Sequence, residues 1–253
     1  MLPYARANAN TLNGQTLDLH KTFLQIPSSY DALEPGVTRA LSPILSCVAG
    51  KQFQAIAHGT GLNTVGNGLT NLGTGARVIS DNKTWQQRTQ STSGSNFGWN
   101  TNDTDCFLIA HKPYWRTIVK TYSDISSTRI WVAFTDNVGI FGHATTGASN
   151  YIGLRYDTAS GDTTWKLVTR AASGTAVATD TGITVQSSAI YDIMLFASAT
   201  KVWAIVDDSD PIEQAVSFSE SQNIFMVMGG QPLVSSTRGI LFSHYAAWSY
   251  AFL

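Results

Sequence analysis

The residues able to do acid–base chemistry in this chain are few and poorly spaced for it. Glutamate occurs only at Glu34, Glu213 and Glu220. Cutting a glycosidic bond takes two carboxyl groups flanking it, and on one strand such a pair shares a face only at an even separation. Glu213 and Glu220 stand an odd number of residues apart, so a continuous strand would put them on opposite faces. Asp103/Asp105 and Asp208/Asp210 have the i, i+2 spacing, yet both pairs lie in turn-like sequence. The acidic run Asp207-Asp208-Ser209-Asp210 offers oxygen ligands of the kind calcium takes. An Asx-type turn closing a strand before Pro211 is the simpler expectation. His20, His58, His111, His143 and His244 show no i, i+2 or i, i+4 pair, so their spacing argues for no metal site. There is no Gly-x-Ser-x-Gly nucleophile motif. The Gly-rich stretch 59–75 has no Lys and no Gly-Lys-Thr ending, which excludes a phosphate-binding loop. No catalytic residue, metal or cofactor is therefore expected, and the chain is read as a non-enzyme.

What remains is recognition by aromatic side chains. Seven Trp, eleven Phe and nine Tyr either stack on sugar faces or fill a wide core. Trp131, Trp165 and Trp203 lie inside alternating strands and are assigned to the core. Trp85 and Trp99 flank the polar stretch Ser91-Thr92-Ser93-Gly94-Ser95-Asn96 and are the candidates for an exposed ligand contact.

The elements that must position these residues are strands. Ile152, Leu154 and Tyr156 alternate in Tyr151-Ile152-Gly153-Leu154-Arg155-Tyr156-Asp157. Polar turns then separate 165–170, 176–181, 191–199 and 201–206, read as consecutive antiparallel strands. Such alternation, with a turn about every ten residues, marks an all-β sandwich or barrel. Further strands are predicted at 52–58, 85–90, 107–111, 115–121 and 130–135. Arg129-Ile130-Trp131-Val132-Ala133-Phe134 is apolar on both faces, which predicts a central position. The aromatic run 239–253 supplies one or two strands, and no helix longer than a couple of turns is expected.

Composition narrows the function classes. Charged residues make up 13 % of 253, about half the usual share, so little electrostatic repulsion opposes self-association. With a net charge of −1, a nucleic-acid partner held by a basic face is not expected. Cys47 and Cys106 are too few for a disulfide framework. Two unpaired buried thiols are expected, with a single bridge as the alternative. Neither a signal-peptide pattern nor a bilayer-length apolar run is present, so cytoplasmic synthesis without a membrane partner is expected.

Residues 1–50 read differently from the rest. An Asn13-Gly14 turn signal is followed by the spaced prolines Pro27, Pro35 and Pro43. The segment has too little contiguous apolar surface to fold alone. It is read as an extended arm that anchors on neighbouring subunits, through contacts such as Tyr4, Leu12, Leu17, Leu19 and Phe23. Residues 51–253 are assigned to the β domain.

The strand Tyr151–Asp157, then Asp162-Thr163-Thr164-Trp165-Lys166-Leu167-Val168-Thr169, then Asp180-Thr181-Gly182-Ile183 resemble a pattern of bacteriophage virion proteins. Those carry a concanavalin A-like (laminin G-like) jelly roll with a Gly-x-Arg-Tyr-Asp strand, a Trp-Lys strand and a late Ile-Asp before a Pro. Val206-Asp207 and Pro211 stand where that last element falls. The resemblance covers roughly residues 50–253; lectins of this fold have no counterpart of the first fifty. It implies an antiparallel jelly-roll sandwich and a structural role in a virion. The expected role is a homo-oligomer, a trimer by preference, that decorates and cements the capsid against the major capsid protein. The alternative is a tail fibre or receptor-binding protein that recognises host surface glycans through the sandwich loops.

Overall fold

Strand β8, Thr128–Thr135, is buried along its whole length, and a strand with no solvent face belongs in the middle of a sheet. The computed structural model, which describes residues 53–60, 70–73, 77–79, 86–101, 107–146, 148–172 and 174–250, places it there. By its contacts the chain divides into 55–249 and a second unit joining 1–54 to 250–253; the architecture below is that of the first.

One sheet runs in the order β11 (Val177–Thr184), β10 (Thr164–Arg170), β9 (Tyr151–Asp157), β8, β15 (Asn223–Pro232), β5 (Phe97–Asn100) and β2 (Thr70–Leu72), with β6 (Phe107–Leu108) also against β15. The other runs β14 (Ile212–Ala215), β13 (Lys201–Val206), β12 (Ile190–Ala197), β7 (Tyr114–Thr121), β16 (Arg238–Tyr250), β4 (Gln86–Gln90) and β3 (Arg77–Ile79), with β1 (Phe53–Thr60) also against β16. The strand pairs among β2 to β16 are antiparallel. This is the expected jelly-roll sandwich. The run 151–206 is not one meander, however: β9, β10 and β11 lie in the first sheet, and β12 and β13 in the second.

Alternation builds the core between the sheets. Ile130, Val132 and Phe134 of β8 meet Ile193, Leu195 and Ala197 of β12 and Val202, Ala204 and Val206 of β13 in one apolar cluster. Trp99, Trp115 and Trp165 stand in it with indole N–H groups that find no acceptor. An unmet donor costs about 1–3 kcal/mol. Burying a ring of about 150–250 Å² returns about 4–6 kcal/mol at 25 cal/mol/Å², so the indoles still favour the fold. One polar clip joins the sheet edges: the Gln214 amide on β14 accepts from Thr169 Oγ1 (2.8 Å) and donates to the Leu167 carbonyl (3.1 Å) and Thr179 Oγ1 (2.6 Å).

Several expectations change. Only Phe107–Leu108 of the predicted strand 107–111 is extended; Ile109–His111 is a 3-10 turn, held by the Glu220 and Gln222 carbonyls. Trp99, expected on an exposed loop, has no solvent-accessible surface. It lies on the core face of β5 with its ring 4.5 Å from that of Phe242, edge to face. β15 is a further strand not expected from sequence, and it contains Gly229-Gly230. Here the glycines are required by close packing. Gly229 pairs across the ladder with Gly98, whose φ of 143° suits glycine and where a Cβ would come within 2.3 Å of the Met228 carbonyl oxygen.

Two outcomes test this register. Gly153 faces Ala133, and a Cβ there would sit 2.3 Å from the Ala133 Cβ. Gly153→Val should therefore lower stability by about 1–3 kcal/mol or more, read as a shifted urea midpoint; an unchanged midpoint contradicts the pairing. At the β10–β11 edge, the hydrogen bond from Lys166, aided by those from Thr164 and Gly182, holds the Asp180 carboxyl down at about 2. A depressed folded pKa means stability gained above the unfolded value and lost as pH falls through the folded one. Asp180→Asn should thus flatten the stability loss between about pH 4 and 2, and an identical acid limb in both proteins contradicts the clip.

Candidate functional site

The outward face of the first sheet is apolar and covered. Trp131, Ala133, Tyr151, Val168, Phe225 and Val227 point away from the main core, and the segment between β8 and β9 folds over them. Its Ile140, Phe141 and Ala148 complete this second buried cluster. The covering segment begins with a 3-10 turn, Val138–Gly142, whose first N–H groups need an acceptor; Asn137 Oδ1 accepts from the Gly139 N–H at 2.7 Å.

Four side chains fasten this strap by its carbonyls. Trp131 Nε1 donates to His143 O (3.1 Å), Arg155 Nη1 to Ala144 O (2.9 Å), Tyr151 Oη to Thr145 O (2.7 Å) and Arg170 Nη1 to Ala148 O (2.9 Å). Burial pushes the Tyr151 phenol up to about 12, against the lowering effect of Arg170 and Arg155. It therefore stays a donor until strongly alkaline pH.

The Gly-x-Arg-Tyr-Asp strand supplies the anchor. Arg155 grips Asp162 with two bonds, Nε to Oδ2 at 2.9 Å and Nη2 to Oδ1 at 3.1 Å. Asp162 Oδ2 also accepts the Asp157 N–H. Asp157 binds Arg129 Nε at 2.9 Å and accepts from Ala159 N and Ser160 Oγ. Both ion pairs are nearly closed to solvent. The motif thus does structural work, and its charges are spent internally.

Where the strap ends, an open cleft of about 480 Å³ is lined by Asp136, Asn137, Thr146, Ala148, Ser149 and Arg170. Asn150 organises it. Its backbone N and Nδ2 donate to Asp136 Oδ2 (3.0 and 2.9 Å), Nδ2 also reaches Gln222 Oε1 (2.9 Å), and Oδ1 accepts from Ala172 N (2.8 Å). Asp136 Oδ1 accepts from Ser149 N at 3.0 Å. Ala172 is held in the left-handed region, φ 50°, a strained setting for a residue with a Cβ. Arg170 completes the wall, with Nε on the Gly174 carbonyl at 2.9 Å. The cleft presents a fixed carboxylate, a guanidinium, hydroxyls and an amide side by side. Such a set suits a polyol with several donors and acceptors.

The sequence candidates fall elsewhere. Tyr4, Leu12, Leu17, Leu19, Phe23 and Trp85, with the arm at 1–50, lie outside the described residues, as do Glu34, Asp103, Asp105, Cys47 and Cys106. Trp99 is in the core. Asp207, at φ 54°, accepts the Asp192 N–H on Oδ1 at 2.8 Å, the behaviour of a turn residue. Glu213 is paired with Lys201 at 2.9 Å. Among the described residues no group of three or more His, Cys, Asp or Glu is placed to hold a metal. None of the cleft residues was singled out from sequence. The available signal was the Asp136-Asn137 pair directly after the doubly apolar strand, a polar cluster at the end of a central element.

No family model matches the sequence, and no curated protein matches it. Solved structures resemble the fold. Peanut lectin superposes with a TM-score of 0.55 at 12 % identity, over 80 % of this chain and 100 % of the lectin. Arcelin-5, a lectin-like defence protein from Phaseolus vulgaris, gives 0.53 at 9 % identity, over 80 % and 100 %. A carbohydrate esterase from the Shiga toxin-encoding bacteriophage phi24B gives 0.51 at 12 % identity, over 79 % and 100 %. At such identities the likeness concerns the fold, a lectin-like jelly roll.

The anchor and the strap bonds should separate in a mutant series. Arg155→Met strands the buried Asp162 carboxylate and should cost about 3–5 kcal/mol. Tyr151→Phe removes one neutral hydrogen bond and should cost about 1 kcal/mol. Urea melts of the two variants test the ranking; equal losses would mean that the strap does not depend on the ion pair.

Proposed function

We propose that the chain is a non-enzymatic structural protein of a bacteriophage virion whose sandwich recognises a surface glycan. The observation that carries this reading is the polar cleft built from Asp136, Asn137, Thr146, Ser149 and Arg170 on a lectin-like jelly roll. Asp136, Asn137 and Arg170 are held by backbone groups and by Asn150, so little of their side-chain entropy is lost when a ligand binds. The non-enzymatic reading is supported by the engagement of three described carboxylates: Asp136 is held by three N–H donors, and Asp157 and Asp162 by arginines.

The virion assignment rests on the sequence resemblance at 151–183 and on the low charge. Cementing of the capsid as a homotrimer against the major capsid protein rests on the arm at 1–50. The glycan reading ranks above it because a polar cleft on a lectin-like fold supports it.

Particles with and without the protein separate the two. Under the glycan reading, particles lacking it adsorb poorly to cells yet release DNA at the same temperature, since nothing that stabilises the shell has been removed. Normal adsorption with DNA release at a clearly lower temperature overturns the glycan reading and supports cementing.

A further inference from the structure

We infer that the cleft selects a carboxylate-bearing sugar, with Arg170 binding the carboxylate; this rests on the glycan reading above. The guanidinium stands apart from the described arginines that form ion pairs. Arg116, Arg129, Arg155 and Arg238 each pair with an aspartate. Arg170 makes no ion pair among the described residues; it donates to two backbone carbonyls, Gly174 O and Ala148 O. These neutral acceptors use two of its five N–H groups and fix the plane of the fork, leaving three donors and a full positive charge. The carbonyls belong to different elements, the β10–β11 turn and the strap, so the group is held from both sides at the cleft wall.

Asp136 lines the same cleft and carries the opposite charge. Its two oxygens already accept three N–H bonds, which disperse that charge, while further lone-pair capacity can take a sugar hydroxyl. A ligand meeting both groups needs a carboxylate and hydroxyls on one small frame, as a uronic acid provides. A neutral sugar would leave the guanidinium without its best partner, since charge-assisted, bidentate pairing of Arg with carboxylate is about twice as strong as a neutral hydrogen bond. Among the described residues no aromatic one lines the cleft, so affinity comes from polar contacts and falls with salt.

Calorimetry of the full chain with three probes tests this: tri-galacturonate, its methyl ester, and a neutral galactose trisaccharide. The free acid should bind at least about tenfold more tightly than the ester, which keeps the shape and removes the charge. That advantage should shrink as salt rises from about 0.05 to 0.5 M. Arg170→Gln, checked for an unchanged melting temperature, should abolish it. If that variant does not fold, the acid-to-ester comparison on the natural chain still decides. Equal binding of acid and ester, with both lost in Asn137→Ala/Ser149→Ala, overturns the acidic preference and leaves the glycan reading standing. No binding of any of the three overturns the acidic preference. Failure to bind a broader panel of neutral and acidic bacterial polysaccharides would remove the glycan reading as well.

Discussion

Four hydrogen bonds from sheet side chains to the carbonyls of His143, Ala144, Thr145 and Ala148 decide what the first sheet can present. A sheet with apolar residues on both faces needs a second cover, and here one segment of the same chain supplies it. At about 0.5–1.5 kcal/mol net for each such bond, the set contributes about 2–6 kcal/mol. Burial of Ile140 and Phe141 adds about 1.5–3 kcal/mol each. With the face closed, the open polar cleft lies at the rim, where the strap rejoins β9 and the polar groups of Asp136 and Asn150 meet the β10–β11 turn.

The scarcity of charge fits this arrangement. Arg129 with Asp157 and Arg155 with Asp162 lie almost out of solvent, where an ion pair stabilises little against a hydrophobic equivalent but is costly to break. They fix geometry. Arg155 links the turn after β9 to the strap and thereby sets where the strap runs. At the rim only Asp136 and Arg170 of the lining residues are charged; the Asn, Thr and Ser beside them hydrogen-bond without the desolvation cost of ions.

The fold was readable in the sequence wherever period-two alternation met a polar turn. The run Tyr151–Asp157 is a strand at those bounds, as is Lys201–Val206. The apolar stretch around Ile130 is central, as its two apolar faces imply. β15 was not readable, because close backbone packing demands glycines inside the strand. Trp99 misled for a related reason: polar neighbours in sequence say nothing about the opposite sheet, and its partner Phe242 is far along the chain. The cleft was invisible since its walls come from the two ends of the segment between β8 and β9 and from Arg170 at the end of β10. Only long-range pairing brings them together.

The position of β15 and β16 has a bearing on how the protein is made. β15 lies between β8 and β5, and β16 between β7 and β4, so each sheet is joined through its middle by a strand synthesised after all its partners. Until residues 223–250 leave the ribosome, both half-sheets hold open edges with unpaired backbone groups. Such edges invite pairing with other chains, and contacts this distant in sequence form slowly. Productive folding is therefore a single late event, and a nascent chain stalled before residue 223 is a sticky one.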